Sequence, residues 1–135
     1  MLKTYLSSKL HRIRVTDKSL NYVGSITLDR RLMELAHISA NEQVHVVNVA
    51  NGHRWVTYAI PSDTPGACVL NGGGARLGEI GDVLIVMAYA IADHAPTPSV
   101  VFMDENNRPD RSSLFRNAAG GTGFRGHQVL VALSA

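Results

Sequence analysis

The chain has a single cysteine, Cys68, among 135 residues, so it can form no internal disulfide and has too few thiolates for a structural zinc site. Cys68 is expected to be a small core or near-surface thiol in a reducing compartment. Long apolar runs are also missing. The longest, "VLIVMAYAIA" from Val83 to Ala92, falls well short of a membrane-spanning helix. The opening "MLKTYLSSKLHR" lacks the apolar stretch and small-residue cleavage site of a secretory signal, so the expected location is cytoplasmic, with no membrane partner. An excess of one charge is lacking too: the net charge is only +2, with three lysines and ten arginines scattered along the chain. Despite a pI near 8.9, that balance gives no ground for a nucleic-acid partner. Such a barrel needs exposed aromatics beside a basic stripe, and the four tyrosines and one tryptophan show no such grouping. No histidine spacing suggests a metal, and Asp82 and Asp104 read as turn residues rather than a catalytic carboxylate pair.

What is present fits one compact domain with 45% hydrophobic residues, large enough for its own core. "KLHRIRVT" alternates, which places Lys9, His11, Ile13 and Val15 on one face and Leu10, Arg12 and Arg14 on the other. "TDKSLN" reads as a turn or short helix. "LNYVGSITLD", residues 20 to 29, reads as a strand with Gly24-Ser25 at its centre. "LDRRLMELAHI" reads as a helix, with Asp29 as N-cap and Leu32, Leu35 and Ala36 inward. Asn51-Gly52 between two β-rich runs predicts a hairpin with a type I′ turn. A short strand ends at Leu70, and the glycine-rich "NGGGARLGEIGD" turns into a long apolar strand from Val83. A strand "SVVFMD" ends at the turn residues "ENNRPD". The nearly all-apolar strand from Val83 must be covered on both faces, which predicts a small closed β-barrel with one or two short helices. From residue 112 to 135 the pattern fades, and its glycines suggest a mobile tail in which "VLVAL" is either an extra strand or an apolar end.

Gly24-Ser25 admits two accounts. One is a bend in a strand, since Gly-Ser pairs are common. The other is a reactive peptide bond. A serine hydroxyl can attack the carbonyl before it and turn the amide into an ester, provided the bond is strained and the oxyanion is stabilised. Glycine in front removes the Cβ that blocks the approach. Elimination and hydrolysis then leave a pyruvoyl group, which forms a Schiff base with an amine substrate and acts as an electron sink.

The chain up to about Pro109 resembles the bacterial aspartate 1-decarboxylase family of pyruvoyl enzymes. The resemblance is carried by "MLKTYLSSKLHRIRVT", "LNYVGSITLD", "NEQVHVVNVANGHRWVTYAI", "LNGGGARL", "GDVLIVMAYA" and "VVFMDENNRP", in that order. It implies a six-stranded double-psi β-barrel over residues 1–111 and a homotetramer with interfacial active sites. It also implies self-cleavage between Gly24 and Ser25, with Ser25 becoming the pyruvoyl group and no metal or external cofactor. The implied reaction converts L-aspartate to β-alanine and carbon dioxide for pantothenate and coenzyme A synthesis. On the same ground, Lys9 and Arg54 hold the substrate carboxylate, and a bidentate guanidinium suits that task. His11 and Tyr22 line the cleavage region, Thr57 polarises the scissile carbonyl and contacts substrate, and Tyr58 returns a proton to the carbanion. Asn71, Gly72, Gly73 and Gly74 form a turn whose N–H groups suit an oxyanion or carboxylate.

Two features depart from the family pattern. Gly73 and Gly74 stand where the family usually has alanines, which adds chain freedom. "AIADHAPTPSVVF" is also shorter than the usual linker. Arg54 and Tyr58 share one face of their strand while Thr57 points to the other, so all three meet one site only through a bend or a subunit boundary. The alternative function is an unprocessed, non-catalytic barrel that binds a partner. Within the enzyme reading, glutamate is the nearest rival substrate, because one methylene discriminates by only about 1–3 kcal/mol.

Overall fold

A computed structural model describes residues 1–110 together with 130–131. The rest of the tail, and the expected boundary at residue 111, lie outside the described residues. The elements are β1 (Lys3–Arg14), β2 (Asp17–Ser19), β3 (Ser25–Asp29), α1 (Arg30–Ala36), β4 (Gln43–Asn48), β5 (Arg54–Ser62) and β6 (Cys68–Asn71). A 3-10 turn (Gly72–Arg76), β7 (Val83–Ala92), β8 (Ser99–Phe102) and β9 (Leu130–Val131) follow.

The fold is mainly β, as expected, but the strand count and the closure need correction. Nine strands are described rather than six, and their ladder, β2-β6-β3-β5-β4-β7-β1-β8-β9, does not close on itself. Its round is completed by the chain instead. β1 runs through Val15 and Thr16 into β2 at the far end of the ladder. The Val15 and Thr16 N–H groups donate to the Asp82 and Cys68 carbonyls at 2.9 and 2.8 Å. The Thr16 hydroxyl also accepts from the Cys68 N–H at 2.9 Å. Counting β1 and β2 as one bent strand recovers six, with β8 and β9 added outside β1. Two psi arrangements are visible: β6 lies between antiparallel β2 and β3, and β5 lies between antiparallel β3 and β4.

Several local expectations also change. "TDKSLN" contains strand β2, not a helix, because Asp17–Ser19 finds a parallel partner in β6. In residues 20 to 29 only Ser25–Asp29 is strand; 20 to 24 form a turn and bend, so Gly24-Ser25 sits where loop becomes strand. The hairpin loop spans residues 49 to 53, and of its two central residues only Gly52 has a positive φ, 78°. Side chains replace the type I′ turn there: Asn48 Oδ1 accepts from the Ala50 N–H and Asn51 Oδ1 from the His53 N–H, each at 2.9 Å. The helix forms as expected. Asp29 accepts from the Arg31 N–H at 2.9 Å, and Leu32, Met33 and Ala36 are buried.

The alternation along β1 breaks at Arg12. Its φ of 71° and the register step from His11↔Ile85 to Ile13↔Leu84 mark a β-bulge. The extra residue shifts the phase, so Leu10, Ile13 and Val15 are all buried while Lys9 and His11 point the other way. The face assignment made from strict alternation is therefore wrong for Leu10 and for the pairing of Lys9 with Ile13. Likewise β7 is sealed on one face, at Leu84, Val86 and Ala88, and only half-covered on the other.

Asn107, with a φ of 57°, staples the bulged end of β1 to the loops. It is buried; its Oδ1 accepts from the Arg14 N–H and its Nδ2 donates to the Arg14 and Gly66 carbonyls, each at 2.8 Å. Replacing Asn107 with alanine is expected to lower unfolding free energy by about 3 kcal/mol, roughly one per hydrogen bond lost. A urea titration measures it, and a loss below a few tenths would show that the staple does not matter.

Candidate functional site

Ser25 begins β3 and is 4% exposed. The β3–β6 register sets it opposite Asn71. The Asn71 Nδ2 donates to Ser25 Oγ at 2.8 Å and to Thr27 Oγ1 at 2.8 Å, so one amide holds two hydroxyls on the same strand face. Thr27 was not singled out from the sequence, although its spacing of two from Ser25 places it on that face.

On the other side of β3, Ile26 pairs with Ala59 and Thr27 with Ile60 in the parallel ladder to β5. The residues preceding the first of these pairs are Ser25 and Tyr58. Paired residues share a face, so Tyr58 belongs with Ser25, Thr27 and Asn71, while Ala59 joins Ile26 and Leu70 in the core. Alternation along β5 then puts Arg54 on the Tyr58 face and Thr57 on the core face. The separation of Thr57 from Arg54 and Tyr58 stands, and no bend within β5 removes it.

Gly24 leads into Ser25, and a Cβ there would meet nothing within 4 Å. Gly72 is the opposite case. Its φ is 64°, and a Cβ would lie 2.8 Å from Gly24 Cα, 2.8 Å from the Tyr22 carbonyl oxygen and 2.9 Å from Gly24 N. The 3-10 turn is thus pressed against the backbone of residues 22 to 24, a contact that only glycine allows. Around Gly73 the space is open. Tyr22 reaches this region through its backbone; the residue is 56% exposed, beside Val23 at 78%.

Lys9 and His11 stand apart. Their strand β1 is separated from β3 by β7, β4 and β5 along the ladder. Partial burial lowers the Lys9 pKa. His11 is pulled down to about 4 by desolvation, then by the Lys9 and Arg12 charges, and its ring meets Phe102 edge-on at 5.3 Å. Buried Cys68 is pushed up to about 12 by desolvation, which leaves an unreactive thiol. A cavity of about 740 Å³ exists elsewhere, beside the Arg30–Asp63 ion pair, and neither Ser25, Asn71 nor Tyr58 lines it. Along this face Ser25 and Asn71 are buried, whereas Arg54 and Val56 of β5 are exposed. Among the described residues no cluster of His, Cys, Asp or Glu is arranged to hold a metal, and no helix is long and apolar enough to cross a membrane.

The family model described as aspartate decarboxylase matches residues 1–110. The chain belongs to the aspartate decarboxylase family. Among curated members, the aspartate 1-decarboxylase of Thermoanaerobacter pseudethanolicus is 48% identical over 114 residues, covering 81% of this chain and 97% of that protein. The Kosmotoga olearia aspartate 1-decarboxylase is 50% identical over 112 residues, with the same two shares. The aspartate 1-decarboxylase 2 of Gloeobacter violaceus is 51% identical over 113 residues, covering 80% of this chain and 90% of that one. A computationally designed protein of known structure, msDPBB_sym2, aligns with a TM-score of 0.37 at 17% identity over 64% of this chain and 99% of its own, a likeness too loose to bear on function.

Two measurements check this geometry. Gly72→Ala is expected to lose at least about 2 kcal/mol of stability in urea, from backbone overlap and a strained φ. Gly73→Ala, with open space around it, should stay within about 0.5 kcal/mol; equal losses would refute the close approach. For His11, the folded ring takes a proton only near pH 4 while the unfolded ring takes one near 6.5. Between those values the unfolded chain binds more protons, so stability is full above pH 6.5 and is lost as pH falls toward 4. His11→Asn should flatten that slope relative to the parent, read from urea midpoints across the window.

Proposed function

We propose that this chain cleaves itself between Gly24 and Ser25 and, with the pyruvoyl group so formed, decarboxylates L-aspartate to β-alanine and carbon dioxide. The product would feed pantothenate and coenzyme A synthesis in the cytoplasm. The observation that carries the reading is the buried Ser25 hydroxyl, held at 2.8 Å by Asn71 at the mouth of a strand whose preceding residue has no side chain. A group formed from Ser25 fits there, because Asn71 and Thr27 already supply a polar wall.

In the cleavage, Ser25 Oγ bonds to the Gly24 carbonyl carbon, the Gly24–Ser25 C–N bond breaks, and the freed nitrogen takes the hydroxyl proton. The resulting ester eliminates: Ser25 Cα gives up its proton, the Cβ–Oγ bond breaks, and Gly24 departs as a carboxylate. Water then replaces the nitrogen, which leaves as ammonia. Thr57 and His11 would serve the scissile carbonyl and the cleavage loop of a second copy, while Tyr22 lies in the loop itself.

A pyruvoyl group at position 25 supplies a carbonyl that takes up a substrate amine and accepts the electron pair released when carbon dioxide leaves. Arg54, with Lys9, binds the carboxylate that is retained, and the 3-10 turn from Gly72 through Gly74 offers it backbone N–H groups. Tyr58, neighbour to Ser25 across the β3–β5 ladder, returns a proton from its hydroxyl to the carbon that lost carboxylate. The exposed Arg54 and Val56 of β5 and the exposed Leu20, Tyr22 and Val23 favour a homotetramer in which a second copy covers the site. Lys9 and Thr57 would reach the substrate across that boundary.

Intact mass under denaturing conditions tests the reading. The expected result is two fragments split after Gly24, the larger lighter than its sequence by one ammonia, and a Ser25→Ala chain that stays whole. The cleaved protein should release carbon dioxide from aspartate in preference to glutamate. An uncut chain that remains whole after prolonged warm incubation would sink the reading in favour of a non-catalytic barrel.

A further inference from the structure

The indole of Trp55 lies against Gly74 in the 3-10 turn. A Cβ built on Gly74 would stand 3.2 Å from Trp55 Nε1, 3.8 Å from Cε2 and 4.0 Å from Cδ1. The ring edge thus occupies the direction in which a side chain at 74 would point. Trp55 is itself anchored, since it packs on the core cluster from the start of β5 and sits between Arg54 and Val56 on a strand paired to β4. The turn it touches is the reverse: Gly72, Gly73 and Gly74 are three successive residues with no side chain to fix them. This same turn carries Asn71 at its N-terminal end and presses Gly72 on the backbone of residues 22 to 24.

We propose that Trp55 is a positioning residue for self-cleavage: its indole edge, seated on Gly74, sets how far the 3-10 turn stands from β3. Asn71 and Gly72 thereby hold Ser25 Oγ and the Gly24 backbone in place. The inference rests on the proposed cleavage at Gly24-Ser25. It makes Trp55 and Gly74 a size-matched pair, in which shrinking the ring loosens the turn and adding a methyl at 74 displaces it.

The test is a double-mutant cycle on the full chain, read as the rate of fragment appearance by intact mass. Trp55→Phe and Gly74→Ala are each expected to slow cleavage about fivefold, within the coupling range of touching residues. The Trp55→Phe/Gly74→Ala chain is expected to recover to within about twofold of the parent, because methyl and smaller ring together refill the space. Trp55 is the only tryptophan, so its emission reports the contact directly, and Gly74→Ala should shift the emission maximum. A double variant slowed by the product of the single effects, single variants that cleave at the parental rate, or an emission maximum unmoved by Gly74→Ala would each overturn the pair. A parental chain that never cuts overturns the proposed function and the positioning role with it. A parent that cuts while the cycle is multiplicative overturns this inference alone.

Discussion

Both protons of one side-chain amide are committed at the centre of this molecule: Asn71 Nδ2 donates to Ser25 Oγ and to Thr27 Oγ1, each at 2.8 Å. That arrangement requires the β3–β6 register to set Asn71 opposite Ser25, because a slip of one residue would turn the amide to the core and Leu70 to the surface. The register is held in turn by the buried pair Ile26 and Leu70 on the opposite face. Packing on one side of the sheet thus decides which polar atoms meet on the other. Asn71 at 4% exposure has little water to bond instead, which raises the cost of losing either hydroxyl.

The glycines of the turn divide by what surrounds them. Gly72 is a steric requirement, pinned between a positive φ and the backbone of residues 22 to 24. Gly73 faces open space, and Gly74 faces an aromatic edge. Substitutions that look alike along the chain therefore act on different parts of the site. The same holds along β5, where neighbours one residue apart serve opposite sides of the sheet: Tyr58 beside Ser25, Ala59 in the core.

Much of this was legible from residue order. The Asp29 cap, the apolar face of the helix and the β-rich hairpin runs follow from local chemistry, and Gly24-Ser25 stood out as a pair. What local chemistry did not carry was phase and partner. The bulge at Arg12 moves Lys9 and His11 off the face shared with Ile13, and a residue in the left-handed region leaves no mark that alternation alone detects. β2 was hidden because three polar residues become a strand only when β6 offers a parallel edge. The partners Asn71 and Ser25 lie 46 positions apart, so their bond depends on the crossover that brings β6 between β2 and β3. Family likeness pointed to Asn71, but nothing in the intervening residues predicted that Thr27 would share its amide.

The bent course of β1 into β2 has a further consequence for a chain cut after Gly24. The short N-terminal piece contains both strands, and these lie at separate places in the ladder: β1 between β7 and β8, β2 at the edge beside β6. Thr16 is tied to Cys68 by three hydrogen bonds at the crossing. Leu10, Ile13 and Val15 on the piece are core residues for the remainder. In a chain cut there, neither polypeptide would hold a complete core, and the shorter one would stay laced through the longer by both strands and by the Thr16–Cys68 hydrogen bonds.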